Sequence, residues 1–418
     1  MEKRRVVITG IGVVSSCGVG VNNFWKSMVE GKSGISTIEN FNTEKHTVKI
    51  GGEIKTTDFN PEDYLDPKDA KRTDMFTIYG VAAAKEAVDD AKLETAGYDP
   101  YRIGVIMGSA AGGFRTTETS HVVMLDRGPT KCSPFTIPML IVNMASGKVA
   151  IRHGFKGPNK CVVSACATGT HAIGDAYRTI QYGDADAMVA GGCEASLSNL
   201  GIGGFTALRA LSKRNDEPTK ASRPFDKDRD GFVMGEGAGV LVLEEYENAQ
   251  KRGAKIYAEI VGYAQTDDAY DIVAPDPEGK GAIKAMEFAL KEAGIKPEDV
   301  DYINPHGTST GLGDKAESEA IAYVFGDKKK NPNLLVSSTK SMHGHALGAT
   351  GAIEGVVCIK AIQEGIVPPT INLDNQDPEC ADLDYVPHKA RKKEVKYALS
   401  NSFGFGGQNA TILFKKIV

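Results

Sequence analysis

Four short segments carry residue types able to do chemistry. The first is Val162-Val163-Ser164-Ala165-Cys166-Ala167-Thr168-Gly169, where a β-branched run gives way to small residues around a cysteine. Apolar residues then recur at Ala172, Ile173, Ala176 and Ile180, close to helical spacing. Cys166 is therefore expected on a tight strand-to-helix turn with its sulfur at the helix N-terminus, where partial positive charge favours thiolate over thiol. This is the geometry of a nucleophile elbow, built with cysteine. From this segment alone, a buried cysteine packing as a small hydrophobe is an equal reading. The second segment, 304–310 (NPHGTST), puts His306 at a strand end among hydroxyls, either to reach a site or to satisfy its ring within the turn. The third, 338–345 (STKSMHGH), sets Lys340, His343 and His345 at the mouth of a Gly/Ala-rich helix. His343 and His345 have the spacing of a metal pair, but no third ligand of suitable spacing is evident, so no metal is expected. The fourth, 401–409 (NSFGFGGQN), exposes backbone N–H groups that suit an oxyanion hole or a movable gate.

These segments need a scaffold to bring them together. Strand-like runs are read at 6–14, 103–107, 161–164, 187–190 and 240–243, alternating with helical stretches at 76–91 and 170–182. A second set follows at 256–263, 302–304, 334–338, 397–401 and 410–414, with helices at 281–293, 314–324 and 349–364. Such alternation predicts α/β architecture. VVSACATGTHAIGDAYRTIQYG and VSSTKSMHGHALGATGAIEGVVCIKAI share one design, a short strand running into a helix opened by small residues. The C-terminal part is thus expected to copy the N-terminal topology, in halves 1–254 and 255–418.

Composition narrows the class. With 41% hydrophobic and 25% charged residues in 418, the chain reads as a globular protein. A net charge of only −5 implies no overall attraction to nucleic acid or anionic membrane, so any electrostatic partner must meet a local patch. Glycine clusters at 108–113, 201–204 and 404–407 suggest close-packed turns lining a site. Seven cysteines without a CxxC pair fit neither a disulfide framework nor a zinc pattern, and point to a reducing cytosol. MEKRRVVITGIGVVSSC mimics an export signal, but its apolar run is short and broken by Thr9, Gly10 and Gly12. A buried first strand explains it better, and no run is long enough to span a membrane.

Taken together, ACATGTHAIG around Cys166, RPFDKDRDGFVMGEGAG at 223–239, HGTST at 306–310, STKSMHGHALGATGA at 338–352 and NSFGFGGQN at 401–409 resemble the β-ketoacyl-acyl carrier protein synthases. The likeness runs in family order over essentially the whole chain and is greatest to the type II elongating condensing enzymes. It implies a thiolase-like fold, two βαβαβαββ halves layered α-β-α-β-α. It implies a Cys166–His306–His345 constellation for decarboxylative condensation of malonyl-carrier protein with an acyl chain held on the cysteine, by a ping-pong course. Two neutral imidazole donors suit an enolate born by loss of CO2, since no C–H proton has to be removed.

The resemblance further implies that Lys340 and Glu354 form an electrostatic pair near the site. It makes the backbone N–H groups of Cys166 and Phe403 an oxyanion hole and Phe403 a gate. Thr308 and Thr310 would bind the phosphopantetheine arm, and Phe205 and Ala111 the acyl chain. Lys68, Lys71 and Arg72, at helical spacing, and Arg209 would dock acidic acyl carrier protein, although an ordinary solvated surface explains the same charges. No cofactor is expected beyond the phosphopantetheine brought by that partner, and a homodimer is expected. Departures are His343 where many relatives carry threonine, Ala111 where isoleucine is common, and Asp271 where histidine is common. The small Ala111 predicts a deep acyl tunnel; His343 is expected behind the site or on the surface. A thiolase fits less well, because its second cysteine is absent from 401–409; a ketosynthase of aromatic polyketide assembly keeps all three residues and stays open.

Overall fold

The computed structural model describes residues 3–417. Ten strands carry the fold. In the first half these are β1 (Val6–Ser15), β2 (Ile103–Gly108), β3 (Asn159–Val162), β4 (Ala187–Glu194) and β5 (Gly237–Glu245). In the second they are β6 (Ala258–Asp267), β7 (Tyr302–Asn304), β8 (Leu335–Val336), β9 (Tyr397–Phe403) and β10 (Gln408–Lys415). They hydrogen-bond along one path, β8-β7-β9-β10-β6-β1-β5-β4-β2-β3. Each half therefore has the same order, its third strand at the edge, then second, fourth, fifth and first. The pairing senses repeat too: β2 runs parallel to β3 and β4, as β7 does to β8 and β9, and the remaining neighbours are antiparallel. β1 and β6 join the halves through Val6–Ile8 and Ala258–Ile260.

The principal helices are α1 (Met75–Ala91), α2 (Phe114–Arg127), α3 (Met144–His153), α4 (Thr168–Gln181), α5 (Asn199–Ala207), α6 (Lys280–Ala293), α7 (Gly311–Phe325) and α8 (Thr350–Glu364), beside shorter ones and a helix over Val21–Glu30. One core packs α4 and α8 among strands of both halves, with Ile173, Ile180, Val356 and Ile359 fully buried beside Leu241 and Phe414. A second core sets α1 and Val149 of α3 against β2, β4 and β5. A third sets α6 and α7 against β7, β9 and β10. The result is the expected α-β-α-β-α layering of the thiolase-like fold. β1 is buried at all ten positions because it lies between β5 and β6 with both faces covered, which is why it reads as an apolar run rather than an alternating one.

Three expectations need correction. The 161–164 strand lies two residues earlier, at the sheet edge, and is exposed or half-buried rather than core, with Val163 56% exposed. No helix was expected across 114–153, yet α2 and α3 lie there. Only Thr116 of α2 is buried, so its sequence lacks the apolar stripe by which a helix is recognised. The glycines at 201–204 fall inside α5, not in a turn.

Two turns position the chemistry. β3 ends at Val162, Ala165 takes φ 48°, and the turn Ala165–Ala167 opens α4. In the second half Leu347 takes φ 43° and the turn Leu347–Ala349 opens α8. Aligning Ala165-Cys166-Ala167-Thr168-Gly169 with Leu347-Gly348-Ala349-Thr350-Gly351 makes Gly348 the counterpart of Cys166. The two helix mouths meet closely: a Cβ on Gly169 would lie 2.8 Å from the Ala352 nitrogen and 2.9 Å from the Gly348 oxygen.

Candidate active site

The Cys166 turn is closed by the Ser164 N–H, which donates to Thr168 Oγ1 at 2.8 Å. Left-handed backbone at Ala165 is unusual for a residue with a Cβ, and it lifts the cysteine at the entrance of α4. The amide N–H groups of Phe405 and of Cys166 itself face the sulfur. This corrects the expected oxyanion partner. Phe403 is the last ladder residue of β9, paired with Asn409, and contributes its ring, 5.8 Å from that of His306. Phe405 sits one turn further on, between Gly404 and Gly406, where the hairpin points its amide inward.

His306 follows β7. Its backbone N–H and that of Gly307 each donate at 2.7 Å to Glu317, one to each carboxylate oxygen. Asp314 accepts from the Ser309 N–H at 3.0 Å. His345 follows the turn at Gly344, and its Nδ1 lies 3.0 Å from Thr350 Oγ1, so Nε2 is the nitrogen left for the site. Nε2 is buried and has no hydrogen-bond partner among the described residues. The His306 and His345 rings stand edge-on with centroids 5.4 Å apart. One ring nitrogen of each and Cys166 Sγ all lie within 4.8 Å of one another. Burial holds both imidazoles well below the usual histidine range, and the Lys340 charge adds to this, so both are neutral at pH 7.

Lys340 Nζ contacts Glu354 Oε1 at 2.5 Å, both side chains excluded from solvent. Burial pushes the Glu354 carboxyl up, to about 8, against the opposing pull of Lys340. His343 turns away from the cysteine: it is buried, its Nε2 is 3.0 Å from Thr339 Oγ1, and burial pushes it down to about 3. It is not a surface residue.

Cys166, His306, His345, Phe205, Phe403, Thr308, Thr310 and Arg209 all line one cavity of about 440 Å³. The Thr308 and Thr310 hydroxyls are 3.0 Å apart on its wall. Ala111 does not line it; its N–H donates to Glu194 at 3.3 Å in the loop after β2. Lys68, Lys71 and Arg72 lie outside it as well. Lys68 and Lys71 are exposed on the turn at Pro67–Ala70, while the Arg72 guanidinium rests 4.3 Å above the Phe135 ring.

A nucleophile on a strained turn, two neutral imidazoles, inward amides and an apolar cavity suit acyl transfer through a thioester. Residues 3–249 match the β-ketoacyl synthase N-terminal domain and residues 257–374 the C-terminal domain. The chain belongs to the β-ketoacyl synthase family. It is 53% identical over 416 residues to 3-oxoacyl-[acyl-carrier-protein] synthase 2 of Synechocystis sp., covering 100% of this chain and 99% of the relative. It is 52% identical over 415 residues to the protein of that name in Staphylococcus aureus, covering 99% of each. A type II polyketide ketosynthase solved with its acyl-carrier protein, AntDE:AntF, superposes with TM-score 0.91 at 36% identity, covering 100% of both chains.

Two carboxylates of this β-ketoacyl synthase escaped sequence reasoning. Glu317 lies on α7 three residues after Asp314, and both are buried, so acids interrupting an otherwise apolar helix face were the available signal. Glu194, at the end of β4, accepts from the Ala110 N–H at 2.8 Å, the Gly348 N–H at 3.1 Å and Ser109 Oγ at 2.9 Å. Nothing local in the sequence announces it.

The structure also reverses the expected state of the thiol. Burial pushes Cys166 up, to about 12, outweighing Lys340 and the two amides that favour thiolate. The resting group is the thiol, and thiolate grows as pH rises. Alkylation of Cys166 by iodoacetamide is expected to accelerate steadily past the ordinary cysteine range of about 8.5. A plateau below pH 8 would show instead that the helix N-terminus dominates.

Proposed function

We propose that this chain is a 3-oxoacyl-carrier-protein synthase of the elongating type, with Cys166 as acyl carrier and His306 and His345 as the decarboxylating pair. The observation that carries the reading is the gathering of the sulfur and both imidazole nitrogens within 4.8 Å at one cavity wall. In the first half-reaction the thiol attacks the acyl-carrier thioester and its proton passes to a neighbouring neutral imidazole. The tetrahedral oxyanion sits between the Cys166 and Phe405 amides, and the carrier leaves as its free thiol. In the second, malonyl-carrier protein loses CO2 and the electron pair becomes an enolate. With the Thr350 hydroxyl donating to Nδ1, His345 carries its proton on Nε2 and points it at the enolate oxygen beside His306. The enolate carbon attacks the acyl thioester, Cys166 departs as thiolate, and a 3-oxoacyl chain two carbons longer remains on the carrier. Lys340 and Glu354 act through the field at the site, not on the reacting carbon.

The cofactor this chemistry needs is the partner's phosphopantetheine arm, for which Thr308 and Thr310 offer hydroxyls along the cavity. Arg209 at the mouth, with Lys68 and Lys71, would meet the acidic carrier protein. β3 presents an edge strand flanked by exposed Val163, with Val122 and Leu125 exposed on α2, which supports a homodimer. The absence of any helix long and apolar enough to cross a membrane, among the described residues, accords with work in the cytosol.

Cys166→Gln should abolish condensation while malonyl decarboxylation continues, read as CO2 release without 3-oxoacyl product; loss of neither sinks the mechanism. Run with saturated primers on fatty-acid carrier protein, the wild-type assay also separates this reading from polyketide synthesis. The pair Lys68→Glu and Lys71→Glu should raise the carrier-protein KM about tenfold at low salt and spare a small thioester substrate. Equal loss on both substrates contradicts docking there. Sedimentation should give twice the chain mass, and a monomer at micromolar concentration would count against the edge-strand dimer.

A further inference from the structure

The sequence offers His343 and His345 as a metal pair with no third ligand. The fold discards that pair and builds another set. His343 is committed to Thr339, while one ring nitrogen each of His345 and His306 and Cys166 Sγ converge within 4.8 Å. We propose that this triad is an inhibitory zinc site, in which one Zn2+ occupies the acylation centre and blocks loading of Cys166.

One sulfur and two imidazole nitrogens are the ligand types zinc prefers, and three protein ligands leave its fourth position open to the cavity. A tetrahedral ion with bonds of about 2.0 Å to nitrogen and 2.3 Å to sulfur spaces its ligand atoms about 3.3–3.5 Å apart. The triad must close by up to about 1.5 Å to meet that spacing. His306 can supply the movement: it is only half-buried, and its ring makes no hydrogen bond among the described residues. Zinc needs the opposite His345 tautomer to the one used in condensation: the proton moves to Nδ1, which then donates to Thr350 Oγ1 at 3.0 Å, and the buried, unpartnered Nε2 is freed as the ligand. That is the hydrogen bond on the far ring nitrogen by which proteins fix metal-binding histidines. Lys340, whose charge opposes a cation here, is held against Glu354 at 2.5 Å, and the Glu317 carboxylate accepts the His306 backbone N–H. Binding forms a Zn–S bond and releases the thiol proton to solvent; no electron is transferred.

Zinc has no part in the condensation, so the test needs no acyl substrate and its outcome is separate from that of the proposed reaction. The whole chain is titrated with zinc ion alone by calorimetry in two buffers of different ionisation enthalpy. In parallel, iodoacetamide labelling of Cys166 is followed by mass spectrometry. The expected result is one zinc and close to one proton released per chain, labelling slowed by about tenfold or more, and full recovery on adding EDTA. Cys166→Ala should lose this binding, and Thr350→Val should weaken it by about tenfold. Binding of zinc by Cys166→Ala as tightly as by the wild type, or an unchanged labelling rate, would overturn the site. The labelling arm uses only wild-type protein, so misfolding of a variant cannot mask the answer.

Discussion

The close approach of two helix N-termini, one from each half, is the constraint on which the rest of the molecule depends. α4 and α8 meet with so little space that a single Cβ at Gly169 would press on the backbone of Ala352 and Gly348. Because they meet, the turn carrying Cys166 and the segment carrying His345 face one cavity although they lie 179 positions apart in the sequence. The sheet serves this approach. Its two halves repeat one strand order and join through β1 and β6, which brings the helices of each half into a shared central layer.

Holding reactive groups in a dry place has an electrostatic cost that the fold meets with buried carboxylates. Glu317 ties down the backbone of His306 and Gly307, Asp314 that of Ser309, and Glu194 joins the loop after β2 to the turn before α8. Each accepts short backbone hydrogen bonds, so the loops are fixed by groups that cannot rotate away. Burial raises the Glu317 carboxyl, to about 7, which makes its charge state a sensitive part of the scaffold. The same desolvation keeps the histidines neutral and the thiol protonated, so one physical cause sets the resting state of all three site residues.

Much of this was legible in the sequence because it is local. A strand ending in small residues marked the Cys166 turn, and strand–helix alternation in two similar runs gave the architecture. What stayed hidden depends on partners remote in sequence. Glu194 and Glu317 gain their roles from backbone they meet only after folding. Which of Phe403 and Phe405 turns its amide to the sulfur depends on where the ladder of β9 ends. The proton on Cys166 was misjudged because a helix N-terminus can be read from residue types whereas depth of burial cannot. The exposed position of β3 was likewise invisible, since its β-branched residues look the same at an edge as in a core.

The repeated turn has one more consequence. The two halves offer two equivalent elbows, yet only one carries a side chain with chemistry. A Cβ on Gly348 would fall 2.5 Å from the Ala110 nitrogen and 2.9 Å from Glu194 Oε2, so the second elbow is closed to any larger residue. Near-symmetry of the backbone thus ends in strict asymmetry of function. The second turn cannot carry a reactive side chain by repeating the first, because the loop after β2 and the Glu194 carboxylate already fill the space it would need.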